Sequence, residues 1–248
     1  MSRRNQPFRH HRTRGRFHAL YMLLSAVLIC AAIVGGSIVF FRVKTIEVSG
    51  ASRYTRSEII AASGIQSDEN LFLINKFSVV RSMFKRLPYL DTIMIRRRLP
   101  DTMVITVTEC QPAAVLETQD GDWLMDKQSK LLEQATGDYP RVVGLAPLSP
   151  SAGDILALGE AGADNLTALQ TLLPFLQEHD LETHVASIDF TEAGRVTLDY
   201  DGRLTVYLAV EDDLDYKLRF FVEVLARLNA TDYGVVDMTK DEAHFIPA

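Results

Sequence analysis

Residues Ala19 to Phe41, ALYMLLSAVLICAAIVGGSIVFF, run for 23 positions without one charged side chain. At about 1.5 Å rise per residue a helix of this length measures roughly 35 Å, enough to cross a hydrocarbon layer of about 30 Å with some tilt. A stretch this long and apolar is expected in lipid, so whatever follows must fold as a separate body. It exceeds the apolar core of about 7–15 residues of a secretory signal peptide. The residue before Cys30 is Ile29, where a lipoprotein cleavage site would carry a small residue. An uncleaved transmembrane helix over 19–41 is the expectation.

Charge gives its orientation. Six arginines lie within the first sixteen positions, whereas only Arg42 and Lys44 separate the span from the first acid, Glu47. Cationic flanks stay on the cytoplasmic side, so residues 1–18 are expected to form a cytoplasmic basic tail beside anionic headgroups, with 42–248 outside. From Glu47 onward 32 acids face 18 Lys and Arg, a net charge of −14. That balance argues against nucleic-acid binding by the body. Two cysteines, one in the apolar span, make no disulfide framework.

The part after the span reads as α+β. Arg42 to Ser49 favours a strand ending at Gly50. Thr55 and Glu58 form a capping box, Tyr54 and Ile59 occupy staple positions, and Gly64 supplies the left-handed stop, so a short helix is expected between them. A second helix runs through NKFSVVRSMFKRLP, with Phe77, Val80, Phe84 and Leu87 on one face and Pro88 as terminator. Two strands follow: Ile93 and Ile95 share a face, the chain turns at Leu99-Pro100-Asp101-Thr102, and Met103, Ile105 and Val107 return together. The order is β-α-α-β-β. Successive strand residues face opposite ways, so Arg96 and Arg98 point to one side and Arg97 to the other, and the three make no converging anion site. A charged strand that resists aggregation and a protein-docking surface are the two readings of these arginines.

After Pro112 the chain is richer in short strands. AAVLETQDGDWLMDKQSKLLEQ suggests a meander, and 135–163 a loop with one short strand at Val142-Val143. A helix capped by Asp164 turns Leu166, Leu169, Leu173 and Leu176 inward. Val185 to Phe190 is a strand, followed by a hairpin. A loop at Tyr200-Asp201-Gly202 would set Leu198 opposite Leu204 and Val196 opposite Val206. Leu214, Leu218, Phe221, Leu225 and Leu228 form one helical stripe. A short strand and a small polar tail end the chain. No nucleophile elbow, phosphate loop or metal-like histidine spacing accompanies these elements. The acid pairs Asp212-Asp213 and Asp241-Glu242 fall at a helix start and in the tail.

The span, the β-α-α-β-β order and the stretches VKTIEVSGASRYTRSEIIAASGI and NLFLINKFSVVRSMFKRLPYLDTIMIRRRLPDTMVITVTECQPAAVL resemble the FtsQ/DivIB family of cell-division proteins. The resemblance implies a POTRA domain over 42–110, whose recurring pattern reads here as Arg97, Pro100, Met103, Ile105, Val107, Glu109 and Pro112. It implies a β domain over 111–239, a tail over 240–248, and no catalytic, cofactor or metal site. The implied role is a non-enzymatic, single-pass scaffold of the cytoplasmic membrane at the division septum. Its partners would be FtsB/DivIC-like and FtsL-like proteins, with septal wall synthases as further partners, and neither nucleic acid nor a small-molecule substrate. In that family a partner segment adds to the sheet beside the last strand, which places docking at Val235, Val236, Asp237, Met238, Thr239 and Lys240. The Arg-Tyr version of the family's last strand is absent here. The alternatives are a POTRA-bearing anchor of another envelope or export assembly, and a wall-modifying enzyme.

Overall fold

Helix α1 spans Arg14–Phe40, 27 residues and about 40 Å at helical rise. The computed structural model describes residues 14–135, 137–210, 213–240 and 242–248. The basic residues 1–13 and the acids Asp212 and Asp241 lie outside the described residues. Within α1, side chains are described over 20–36 and at Phe40, and all of these are exposed. Among the described residues no helix is long and apolar enough to cross a membrane.

The α+β order expected after this helix is present: β1 (Thr45–Ser49), α2 (Arg56–Ser63), α3 (Lys76–Arg86), β2 (Leu90–Arg98) and β3 (Thr102–Glu109), with sheet order β1-β3-β2. The Thr55/Glu58 capping box forms as the sequence requires, and Gly64 closes α2 at φ 67°. Met103, Ile105 and Val107 are all buried to within 1%, each contributing about 1.5–3 kcal/mol by leaving water. Gly50 cannot be replaced cheaply. At φ 91°, a Cβ there would lie 2.0 Å from the Val107 carbonyl oxygen.

Of the face expected for α3, Leu87 is buried and Val80 and Phe84 are half-buried, but the burial is centred on Val79 and Met83 and leaves Phe77 outside. Val79, Met83 and Leu87 are buried, while Phe77 is 89% exposed. The cause is α2. The Ser82 hydroxyl donates to the Ala62 carbonyl at 3.0 Å and Arg86 to Ala61 at 3.2 Å, so the 79-83-86 side is turned toward that neighbour.

The chain continues as β4 (Pro112–Leu116), β5 (Trp123–Asp126), β6 (Leu131–Gln134), β7 (Arg141–Val143), α4 (Ala163–Glu178), β8 (Val185–Asp189), β9 (Arg195–Tyr200), β10 (Leu204–Ala209), α5 (Leu214–Leu225), β11 (Gly234–Met238) and β12 (His244–Pro247). These nine strands form one sheet of order β12-β11-β10-β9-β8-β7-β4-β5-β6. Helices α4 and α5 are the crossovers for the parallel pairs β7/β8 and β10/β11, as parallel neighbours require. Their apolar sides, including Leu169, Leu173, Leu176, Leu218 and Phe221, join Ile188, Leu198, Val206 and Val236 in one core.

Three local expectations need correction. The β9–β10 hairpin pairs Tyr200 with Leu204 and Leu198 with Val206, so the loop is Asp201-Gly202-Arg203. Tyr200 belongs to the strand because its ring is buried edge-on against Phe221, centroids 5.6 Å apart. Asp201 and Gly202, at φ 55° and 63°, make the reversal. Helix α4 starts at Ala163 after a short 3-10 turn, with Gly162 rather than Asp164 at the cap. The expected polar tail contains a strand, β12.

The chain divides into two compact units: Met1–Glu47 with Ile65–Ile74 and Ile95–Val104, and Val48–Gly64 with Asn75–Met94 and Ile105–Ala248.

Candidate functional site

Among the described residues β12 is the outer strand of the nine-stranded sheet. It pairs antiparallel with β11: Val235 faces Ile246, Val236 faces Phe245 and Asp237 faces His244. The Ala248 amide donates to the Tyr233 carbonyl at 2.9 Å. Bonded and non-bonded pairs alternate along such a ladder, so the main-chain groups of Ile246 and His244 point into the sheet. Those of Phe245 and Pro247 point away from it. Pro247 has no N–H, which leaves the Phe245 amide as the donor and two carbonyls as acceptors on the open side. All four residues of β12 are exposed, Phe245 by 36% and Ile246 by 56%. A short strand ending in proline is a blunted edge, which limits indiscriminate pairing while leaving a few ladder bonds to offer.

Of the expected docking residues, Val235, Val236, Asp237 and Met238 lie on β11, which is an interior strand bonded to β10 and β12. Val236 and Met238 are core residues, 0% and 2% exposed. The sequence placed the chain's last strand one strand too early, so main-chain addition directly beside β11 is blocked by β12. Thr239 and Lys240 follow β11. Asp237 accepts from the Thr239 amide at 3.0 Å and hydroxyl at 2.7 Å. These bonds, the hydroxyl's first, hold its carboxyl below the usual range despite partial burial. The resulting turn launches the chain toward β12. Lys240 and Met238, with Tyr216 and Phe220 of α5, line a groove of about 380 Å³. The signal for β12 was confined to His-Phe-Ile-Pro, too short for its alternation to stand out.

The residues of the POTRA pattern have structural work. The Arg97 Nε donates to the Leu71 carbonyl at 2.5 Å and its other arm to Ile74 at 3.0 Å. Arg98 is exposed and pairs with Glu47, and Arg96 is exposed. Arg97 therefore braces a loop, as the opposite facing of the three arginines allows. Glu109 ends β3 and accepts from the amides of Ser52, Arg53 and Tyr54 at 3.0, 2.9 and 3.3 Å, and from the Ser52 hydroxyl. Burial alone would raise its pKa, but the Ser52 hydroxyl and the amides outweigh it and hold the carboxyl below its ordinary range. Pro100 sits in the β2–β3 turn after a cis peptide, and Pro112 opens β4.

Groups that could suggest chemistry have structural partners. Burial pushes the Cys110 thiol up to about 11, away from nucleophilic use. Ser82 and Lys85 have the Ser-x-x-Lys spacing of some acyl-transfer sites, but the Ser82 hydroxyl donates to the Ala62 carbonyl. His184 bonds Asp201 at 2.7 Å and stacks on Tyr200 beside the hairpin. Among the described residues no cluster of His, Cys, Asp or Glu could hold a metal ion.

A three-stranded sheet with two helices, then a large mixed sheet with a blunted edge, defines an α+β protein of two modules. The first part matches the family model described as POTRA domain, FtsQ-type, over residues 41–109. The model described as Cell division protein FtsQ/DivIB, C-terminal, matches residues 114–239, just over half of the chain. The chain belongs to the FtsQ/DivIB family of non-enzymatic cell-division proteins. The cell division protein FtsQ of Corynebacterium glutamicum is 25% identical over 175 residues, 69% of this chain and 73% of that protein. The FtsQ of a Geobacter species is 32% identical over 134 residues, 53% of this chain and 48% of its own. The cell division protein DivIB of Clostridium tetani is 23% identical over 190 residues, 75% and 70% of the two chains.

Proposed function

We propose that this protein is a single-pass membrane scaffold of the divisome that recruits or stabilises FtsB/DivIC-like and FtsL-like partners during septum formation, with septal wall synthases as further partners. Helix α1 is its anchor, with the N-terminus cytoplasmic; a POTRA domain over 42–110 and a β domain over 111–239 stand on the other side. Support for the anchor is the uncharged run 19–41, all but its last residue inside the 27-residue helix α1. The observation that carries the recruiting role is the open side of β12, with the Phe245 main chain outward and the groove of Lys240 and Tyr216 nearby. A partner strand added there would extend the sheet by backbone pairing, each bond contributing about 0.5–1.5 kcal/mol.

The test is depletion with a tagged copy. Filamentous cells and signal at mid-cell are the expected result; normal septation with a diffuse envelope signal would overturn the role. A reporter enzyme fused after Ala248 should be active only outside the cytoplasm.

A further inference from the structure

The loop Leu71–Ile74 has an unusual composition for an exposed turn. Leu71 and Ile74 are buried, 0% and 5% exposed, yet Phe72 and Leu73 between them are 51% and 73% exposed. Turn tips normally carry Gly, Asn, Asp or Ser, which suit both the backbone and water. Here the polar work is done by Asn70, whose carboxamide oxygen accepts from the Phe72 amide at 2.8 Å and whose carbonyl accepts from Leu73 at 3.0 Å. Arg97 holds the Leu71 and Ile74 carbonyls from behind. The loop is braced to keep two large apolar side chains outward.

Its position gives the reason. The Leu71 amide donates to the carbonyl of Phe41, one residue past the end of α1, at 2.9 Å. Arg42 bridges Asn70, and the Val43 amide donates to Glu69 at 2.9 Å. The Phe72 ring meets Phe41 edge-on, centroids 5.2 Å apart, and Phe41 meets Phe40, the last residue of α1, at the same distance. The exposed Leu99 belongs to a second turn tied to this exit, since the Asp101 carbonyl accepts from Lys44 at 2.9 Å. The apolar tip is thus continuous with the helix end, and exposed Arg42 and Lys44 flank it.

We propose that Phe72 and Leu73 insert into the headgroup region of the bilayer that holds α1, seating the first module on the membrane at a second point beside the helix exit. This rests on the reading of α1 as a membrane anchor. Apolar side chains placed at this depth, with cations at the phosphate level, are stabilised by burial and by anionic headgroups.

The test uses the full chain in vesicles of phosphatidylethanolamine and phosphatidylglycerol carrying brominated acyl chains. Three single-cysteine forms, all with Cys110→Ser, bear an environment-sensitive fluorophore. The first keeps Cys30, in α1. The second has Cys30→Ser with Leu73→Cys, and the third has Cys30→Ser with Thr231→Cys as a reference exposed to water. Labels at 30 and 73 should each lose about half of their emission or more, the first because it lies inside the hydrocarbon and the second because it lies within about 10 Å of it, while the label at 231 is unchanged. Quenching at 30 without quenching at 73 overturns the second seat and leaves the anchor standing. Absence of quenching at 30 overturns both. A label at 73 shielded only when a partner protein is added would assign the tip to protein and overturn the lipid contact.

Discussion

Gly234 lies opposite Pro247 across the β11–β12 ladder, and a Cβ on Gly234 would stand 2.1 Å from the Ile246 carbonyl oxygen. Its φ of 152° adds a conformation that side chains rarely adopt. The outer strand is therefore matched to a glycine in its neighbour. Gly234→Ala should push β12 away while leaving Val236 and Met238 in the core, at a cost of about 1–3 kcal/mol in local strain. Amide exchange of His244 and Ile246 should accelerate well above that of β9 and β10. Uniform acceleration across the sheet would contradict this.

Arg97→Ala removes two hydrogen bonds to carbonyls of the Leu71–Ile74 loop. The expected loss is about 1.5–3 kcal/mol in urea unfolding, the range for bonds made by a charged group. Arg97→Lys should recover only part of it, because a point charge cannot bridge two carbonyls as the guanidinium fork does. Arg96→Ala, at an exposed position, should change stability by no more than about 0.5 kcal/mol.

Glu109 gives a pH signature. Its folded-state pKa is lowered from the ordinary 4.5. A depressed carboxyl contributes stability above its unfolded value and loses it as pH falls through the folded one. Wild type minus Glu109→Gln should thus show a stability difference near neutrality, about 1–2 kcal/mol after allowance for solvent screening, shrinking below pH 4.5. A difference that stayed constant down to full protonation would show that the charge has no part in holding Ser52 to Tyr54.

Cys110 should be slow to alkylate. With its thiol pushed up to about 11 by burial, only about one part in a thousand is thiolate at pH 8. In the Cys30→Ser chain, iodoacetamide should modify position 110 at a rate that rises sharply on unfolding. Rapid modification of the folded chain would reopen the question of a reactive group.

What was legible in the sequence followed from signals with local causes. Thr55/Glu58 and Gly64 bounded α2 because caps are made within one turn of chain. The alternation Met103, Ile105, Val107 gave a buried strand face, and the motifs around it gave the family. What was misread depended on a partner distant in sequence. The centre of the buried side of α3 was chosen by α2, the β9–β10 register by Phe221 packing on Tyr200, and the outer strand by four residues whose reason for pairing is the β11 edge. The docking residues were placed on β11 for that cause. Arg97 could be assigned a facing but not its two carbonyls.

Backbone pairing by a partner strand at β12 would use the Phe245 amide, the donor on the strand's open side. The direct measurement is the affinity of residues 42–248 for the exported segment of an FtsB/DivIC-like partner, with Phe245→Pro compared with Phe245→Ala. Proline should weaken binding about tenfold or more, corresponding to about 1.4 kcal/mol, and beyond the loss caused by alanine, which keeps the amide. A folded Phe245→Pro protein that binds as tightly as Phe245→Ala would rule out backbone pairing of a partner at β12.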